Sequence, residues 1–151
     1  MTFYPDAVDF STFPNSESIV VNGRTYYGGP ADMDASFTTI TGARAVLEHI
    51  ARRLITPPGQ YDDPSYGFDI NTYLNANLLP QETSALQAAV ANQAVEVEGV
   101  DDVAVSVTLA DNRLLISIDV ILIDSVEGFN FIFVLSADTI PRIYFPSTPT
   151  V

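Results

Sequence analysis

Near Asp101 the hydrophobic pattern of this chain changes from a helical period to a period of two, and that change limits the folds open to it. Val103, Val105, Val107 and Leu109 alternate with Asp102, Ala104, Ser106 and Thr108, which sends the two sets to opposite faces of a strand. Ala110-Asp111-Asn112-Arg113 reads as a turn. Leu114–Ile123 is the next strand, apolar on both faces apart from Ser117 and Asp119, as expected of a strand covered on both sides. Asp124-Ser125-Val126-Glu127-Gly128 turns the chain again, and Phe129–Leu135 follows with Phe129, Phe131, Phe133 and Leu135 on one face. Three such runs joined by short turns predict a three-stranded antiparallel meander.

The segment before the meander carries two helical patterns. Over Thr41–Ile55, Val46, Leu47, Ile50 and Leu54 share one face, while Arg44, Glu48 and Arg52 lie opposite at i, i+4 spacing. Thr39 or Thr41 is the candidate cap. Pro57 and Pro58 end this helix by about Ile55, because proline lacks an amide donor and restricts the residue before it. Asp69–Asn77 reads as a short helix capped by Asp69. Pro80 to about Val97 reads as the second long helix, with Pro80 in its first turn, Glu82 at the positive end of its dipole and Gly99 as its stop.

Residues 1–38 form an arm rich in Phe, Tyr, Pro, Asp and Ser, with Phe3, Tyr4, Phe10, Phe13 and Phe37 poised to dock on the domain or on a neighbour. Within it, Asn22-Gly23 between Ser18–Val21 and Arg24–Tyr27 predicts a hairpin, since both turn positions accept positive φ. The end, with Pro141, Pro146 and Pro149 around Ile143, Tyr144 and Phe145, reads as too proline-rich for a central strand and suits a docking tail or an edge strand. The expected class is α+β: two main helices packed on a small antiparallel three-stranded meander (39–138), with an irregular aromatic arm (1–38) and a proline-rich tail (139–151).

Composition narrows the chemistry. The formal charge is −13, and all six cations are arginine: Arg24, Arg44, Arg52, Arg53, Arg113 and Arg142. Such a balance opposes binding to a phosphate backbone, so no nucleic-acid partner is expected. With no cysteine, disulfides, thiolate chemistry and Cys-based zinc sites are excluded. No apolar run is long enough to span a membrane and Met1–Asp6 does not read as a signal peptide, so a soluble chain used on the cytoplasmic side is expected. At 151 residues with 47% apolar content, one domain can hold a real core.

The stretch between the helices holds Ala51-Arg52-Arg53-Leu54, then Thr56-Pro57-Pro58-Gly59, then Pro64-Ser65-Tyr66-Gly67-Phe68-Asp69. In this order, ahead of a second helix and a meander, these residues resemble the baseplate wedge or sheath-initiator family of contractile phage tails. That family also occurs in pyocins and type VI secretion baseplates. The resemblance covers roughly Thr39–Asp138. It implies a structural subunit of the virion tail baseplate, assembled in the host cytoplasm, with six copies around the tube. The implied partners are the tail sheath protein, baseplate wedge subunits and tube or hub proteins; no cofactor is implied. Many members carry Glu-Pro-Arg where this chain has Glu98-Gly99-Val100, so a wedge contact through that arginine has no counterpart here.

On this reading the sheath protein extends the sheet by strand addition. The expected edge is Arg113–Ile123 or Phe129–Leu135, with Arg113, Ile116, Ile118, Val120, Phe129, Phe131 and Phe133 as contact residues. Arg52, Arg53, Pro57, Pro58, Gly59, Tyr66, Gly67 and Glu98 face the wedge or tube. The alternatives are a type VI or other injection-machine subunit, an acidic adaptor, and a glycan hydrolase using paired carboxylates among Glu48, Asp62, Asp63 and Asp69. With nineteen acids in the chain, close pairs arise by chance, and turn or cap roles suit these aspartates better. His49 has no partner histidine for a metal site, and no catalytic or metal residue is expected.

Overall fold

Asn22 and Gly23 take φ of 52° and 79°, the two positive values that a two-residue hairpin turn demands. They join β2 (Glu17–Val21) to β3 (Arg24–Pro30) in antiparallel register, Val21 opposite Arg24 and Glu17 opposite Gly28. The computed structural model describes residues 8–10, 16–30, 39–59, 62, 66–68, 70, 80–110, 113–123, 128–136 and 141–146. Besides the hairpin these hold β1 (Val8–Phe10) paired with β4 (Thr39–Thr41), α1 (Gly42–Ile55), α2 (Pro80–Ala94), β5 (Val100–Ala110), β6 (Arg113–Leu122), β7 (Gly128–Ser136) and β8 (Arg142–Phe145).

The main sheet has six strands in the order β2-β3-β8-β7-β6-β5, with every pair antiparallel. The expected three strands are present as β5, β6 and β7, but a three-stranded meander beneath two helices is not the architecture. Two parts of the chain set outside the domain enter the same sheet. The N-terminal hairpin supplies two strands, and the segment read as a tail supplies β8, which lies between β3 and β7. The prolines that argued against a central strand flank it instead: Pro141 precedes Arg142-Ile143-Tyr144-Phe145 and Pro146 follows it, so all four ladder residues keep their amides.

One face of the sheet carries α1 and α2. Val46, Leu47, Ile50 and Leu54 of α1 and Leu86, Val90 and Ala94 of α2 pack on Leu114, Ile116, Ile118, Val120 and Leu122 of β6, with Phe131, Phe133, Ile143 and Phe145 beyond. The Phe131 and Phe145 rings stack with centroids 5.5 Å apart. On β6 the buried side chains are the helix-facing set, whereas Asp119 is exposed and Ile121 is 40% exposed; this strand is therefore not covered on both faces as its composition suggested. Glu48 is also misjudged by the helical wheel. It is fully buried and bound to Arg44, with Nε to Oε2 at 2.8 Å, and the Arg44 guanidinium lies 3.7 Å from the centre of the Phe145 ring.

The short helix expected over Asp69–Asn77 falls outside the described residues except for Ile70, as do Phe3, Tyr4, Phe13 and Phe37. The second helix stops earlier than read, at Ala94. The turn beyond it ends on Gly99, whose φ of 95° suits glycine and whose carbonyl accepts from the Ile123 amide at 2.9 Å.

At Gly28 β3 leaves no room for a side chain beside β8. A Cβ there would stand 1.8 Å from the Ile143 carbonyl oxygen and 2.8 Å from the Tyr144 Cα. Gly28→Ala must therefore push β3 from β8, and we expect it to lower the urea midpoint by the equivalent of about 3 kcal/mol or to prevent folding. Gly128→Ala, which meets nothing within 4 Å, should change stability by less than about 0.5 kcal/mol.

Candidate functional site

Three features of the described residues bear on function: the clamped loop after α1, the edge at β5, and a groove on the face away from the helices.

The loop begins where Thr56 turns back on α1. Its amide and hydroxyl both reach the Arg52 carbonyl, at 3.1 and 2.6 Å. The Phe68 amide then donates to the Thr56 carbonyl at 2.8 Å, closing the base of the loop. Gly67, at φ 110°, makes this closure possible, since a Cβ there would lie 2.7 Å from the Thr56 oxygen. Arg53 is buried; its Nε donates to Gln93 Oε1 at 2.9 Å and its guanidinium lies 4.9 Å from the centre of the Tyr66 ring. Of the residues read as a wedge or tube contact, Arg53, Tyr66, Gly67 and Pro57 thus meet at the loop base. Arg52 is half-buried, while Pro58 and Gly59 are exposed in the turn that follows Pro57, and Glu98 in the turn after α2.

The residues read as a strand-addition surface are placed differently from the expectation. Ile116, Ile118, Val120, Phe131 and Phe133 are buried against the helices, and Phe129 packs beside them. Both strands that carry them are interior, β6 between β5 and β7, and β7 between β6 and β8. Neither has an edge to offer. A proline at Ile118 or Val120 would break this ladder and report stability alone. The error came from counting three strands, which turned a middle strand into an edge.

Among the described residues the edges of the sheet are β5 and β2. On β5 two amides are met by side chains: Val107 N–H donates to Gln87 Oε1 of α2 at 3.1 Å, and Val103 N–H to Asp102 Oδ1 at 2.9 Å. These residues are an even number apart, so in an antiparallel ladder both amides point away from β6, and Val105 shares their direction.

The groove holds about 420 Å³. Ile19, Val20 and Val21 of β2 line one side, and Thr108 of β5 with Arg113 of β6 the other. Leu115, Val134, Arg142 and Tyr144 complete it. First and last strands therefore border one cavity, so the sheet is rolled rather than flat. Beside it, Glu17 Oε1 accepts from Tyr144 Oη at 2.8 Å and from Arg142 Nε at 3.1 Å. On the same face the Tyr26 hydroxyl donates to Asn130 Oδ1, and Asn130 Nδ2 lies 2.8 Å from Ser117 Oγ and 2.9 Å from Asp119 Oδ1. A lone Asn130 between Phe129 and Phe131 was the sequence signal of such a bonded polar site. The groove itself had no signal, because it depends on β8 and the hairpin joining the sheet.

Of the acids considered for hydrolysis, Asp62 is exposed and Glu48 is bound by Arg44; Asp63 and Asp69 lie outside the described residues. His49 is half-buried on α1. Among the described residues no group of three or more His, Asp or Glu side chains is arranged to hold a metal ion. No helix among them is long and apolar enough to cross a membrane. Comparison of the chain with protein-family models, with curated proteins and with solved structures finds no match.

Burial and the nearby Glu17 push the Tyr144 hydroxyl up to about 12. An unfolded tyrosine titrates near 10, so the stability gained from the neutral hydroxyl is complete below pH about 10 and is lost as the pH rises toward the folded value. Urea titrations across this window should show a fall in stability that Tyr144→Phe reduces. Arg53→Met keeps the apolar stem but loses the Gln93 bond and the Tyr66 contact. We expect it to cost about 1–3 kcal/mol in urea unfolding and to hasten proteolysis between Thr56 and Phe68.

Proposed function

We propose that this chain is a structural, non-catalytic subunit of a contractile-tail baseplate, and that a segment of the tail sheath protein joins its sheet as a strand beside β5. The observation that carries the reading is the β5 edge: eleven residues without proline or lysine, with no strand beyond it among the described residues. A long edge of this kind is a template for another chain. The order Arg52-Arg53-Leu54, Thr56-Pro57-Pro58-Gly59 and Tyr66-Gly67-Phe68 supports the same family, and the clamped base of that loop offers a rigid surface to wedge and tube proteins. Six copies would encircle the tube in the virion tail. The incoming strand would displace Gln87 from the Val107 amide. Exposed Glu96, Glu98, Asp101 and Asp102 at the start of β5 favour a segment that is basic at that end.

Val105 is the position that tests this. Its amide points away from β6, so Val105→Pro removes a donor from the free edge and leaves the internal ladder intact. In the assembled tail system this variant is expected to fold and enter baseplates while tubes form without sheath. Normally sheathed tails from Val105→Pro would overturn the proposal.

A further inference from the structure

We infer that the groove between β2 and the β5–β6 hairpin binds an extended peptide segment carrying an apolar side chain and a carboxylate. The inference does not depend on the baseplate reading, which places a different segment on a different edge.

The hairpin turn supplies the backbone part. A two-residue turn closes on a hydrogen-bonded pair, so Val21 with Arg24, Ile19 with Tyr26 and Glu17 with Gly28 bond within the hairpin. Ser18 and Val20, between them, direct their N–H and C=O groups outward along the sheet edge. Val20 is 69% exposed, the most open large apolar residue in the described structure. A peptide strand beside β2 has backbone partners at these two residues. A lipid chain has none, which favours a peptide as the occupant.

The groove supplies the side-chain part. Its apolar lining comes from Ile19, Val21, Leu115 and Val134, together with the Tyr144 ring. At about 420 Å³ it falls within the range of sites that enclose small ligands or a few side chains. Its charge is the reverse of the molecule's. The chain carries −13 overall, yet two of its six arginines, Arg113 and Arg142, line this one cavity. Arg142 is held by Glu17, whereas Arg113 is exposed at the end of the groove beside Thr108. A carboxylate on the segment meets the planar donors of Arg113 while its apolar neighbour enters the cavity. A second copy of the chain is disfavoured as occupant by repulsion between two strongly acidic molecules.

Fluorescence polarisation on the purified protein tests this with two labelled, C-terminally amidated pentapeptides of alternating valine and threonine, one ending in glutamate and the other in lysine, so that only the first carries a carboxylate. The glutamate peptide is expected to bind at least about tenfold more tightly, the change that one charge contact gives. Arg113→Gln should remove that preference. Thr108→Glu, a surface change in the same groove, should weaken the glutamate peptide selectively, and Val20→Pro should weaken both. Circular dichroism verifies that each variant is folded. Equal binding of the two peptides, no binding of either, or a preference unchanged in Arg113→Gln overturns the inference. So does dodecanoate binding in the groove without peptide binding, or sedimentation showing a dimer that Val20→Pro dissociates. Since no tail component is present, sheath assembly by Val105→Pro can fail or succeed without altering this result.

Discussion

The double pairing of β8 holds the main sheet together. On one side Tyr27–Pro30 pairs with Arg142–Phe145, and on the other Ile132–Val134 pairs with Arg142–Tyr144. Without these four residues the molecule would contain a hairpin and a separate three-stranded unit, each with an extra bare edge. The strand joins segments more than a hundred residues apart, so its loop-closure entropy is recovered only when both neighbours are in place. That explains why so short a strand is so thoroughly fastened. Gly28 lets β3 approach it, Ile143 and Phe145 enter the helix-side core, and Tyr144 and Arg142 both bind Glu17 across the hairpin.

The same strand explains the buried charge on α1. Arg44 and Glu48 were expected to form an exposed i, i+4 pair worth a few tenths of a kcal/mol. In the fold Glu48 has no exposed side-chain area and Arg44 has 12%, and the guanidinium lies over Phe145 of β8. Burial lowers the arginine's pKa, and the bond and attraction to Glu48 oppose that shift. A pair this deep adds little net stability over well-packed apolar residues, but losing one partner costs about 3–5 kcal/mol. Its contact with the Phe145 ring ties one turn of α1 to β8.

Much of the local structure was legible. The periods of three to four and of two gave both helices and β5–β7, and Asn22-Gly23 gave the hairpin turn, though the strands run on to Glu17 and Pro30. The failures were in assembly. Arg142–Phe145 is too short to show a period, and its flanking prolines looked like evidence against a strand when they only delimit one. From that error came two others: a three-stranded sheet, and edges assigned to β6 and β7. Glu48 was placed outward because a helical wheel ranks residues by polarity and ignores what a partner four residues away makes affordable. Arg53, Tyr66 and Gly67 were named only as parts of a contact surface, because their meeting at the loop base, with Arg53 bridging to Gln93, requires knowing how α1 and α2 pack.

The two edges of the rolled sheet are guarded in different ways. β5 is long and would be prone to indiscriminate pairing, but side chains already occupy amides at Val103 and Val107, and acids crowd its start. A chain joining β5 would have to displace Gln87 and lie beside Asp101 and Asp102, which would make a generic sticky edge a selective one. β2 is half as long and has an exposed Val20, yet it borders a groove whose arginines contrast with the acidic remainder of the surface. The two edges therefore differ in the charge beside them, acidic at the start of β5 and basic in the groove bordered by β2. On the two proposals above, a strand suited to either edge would be selected against at the other by charge, so one rolled sheet would hold two different chains without exchanging them.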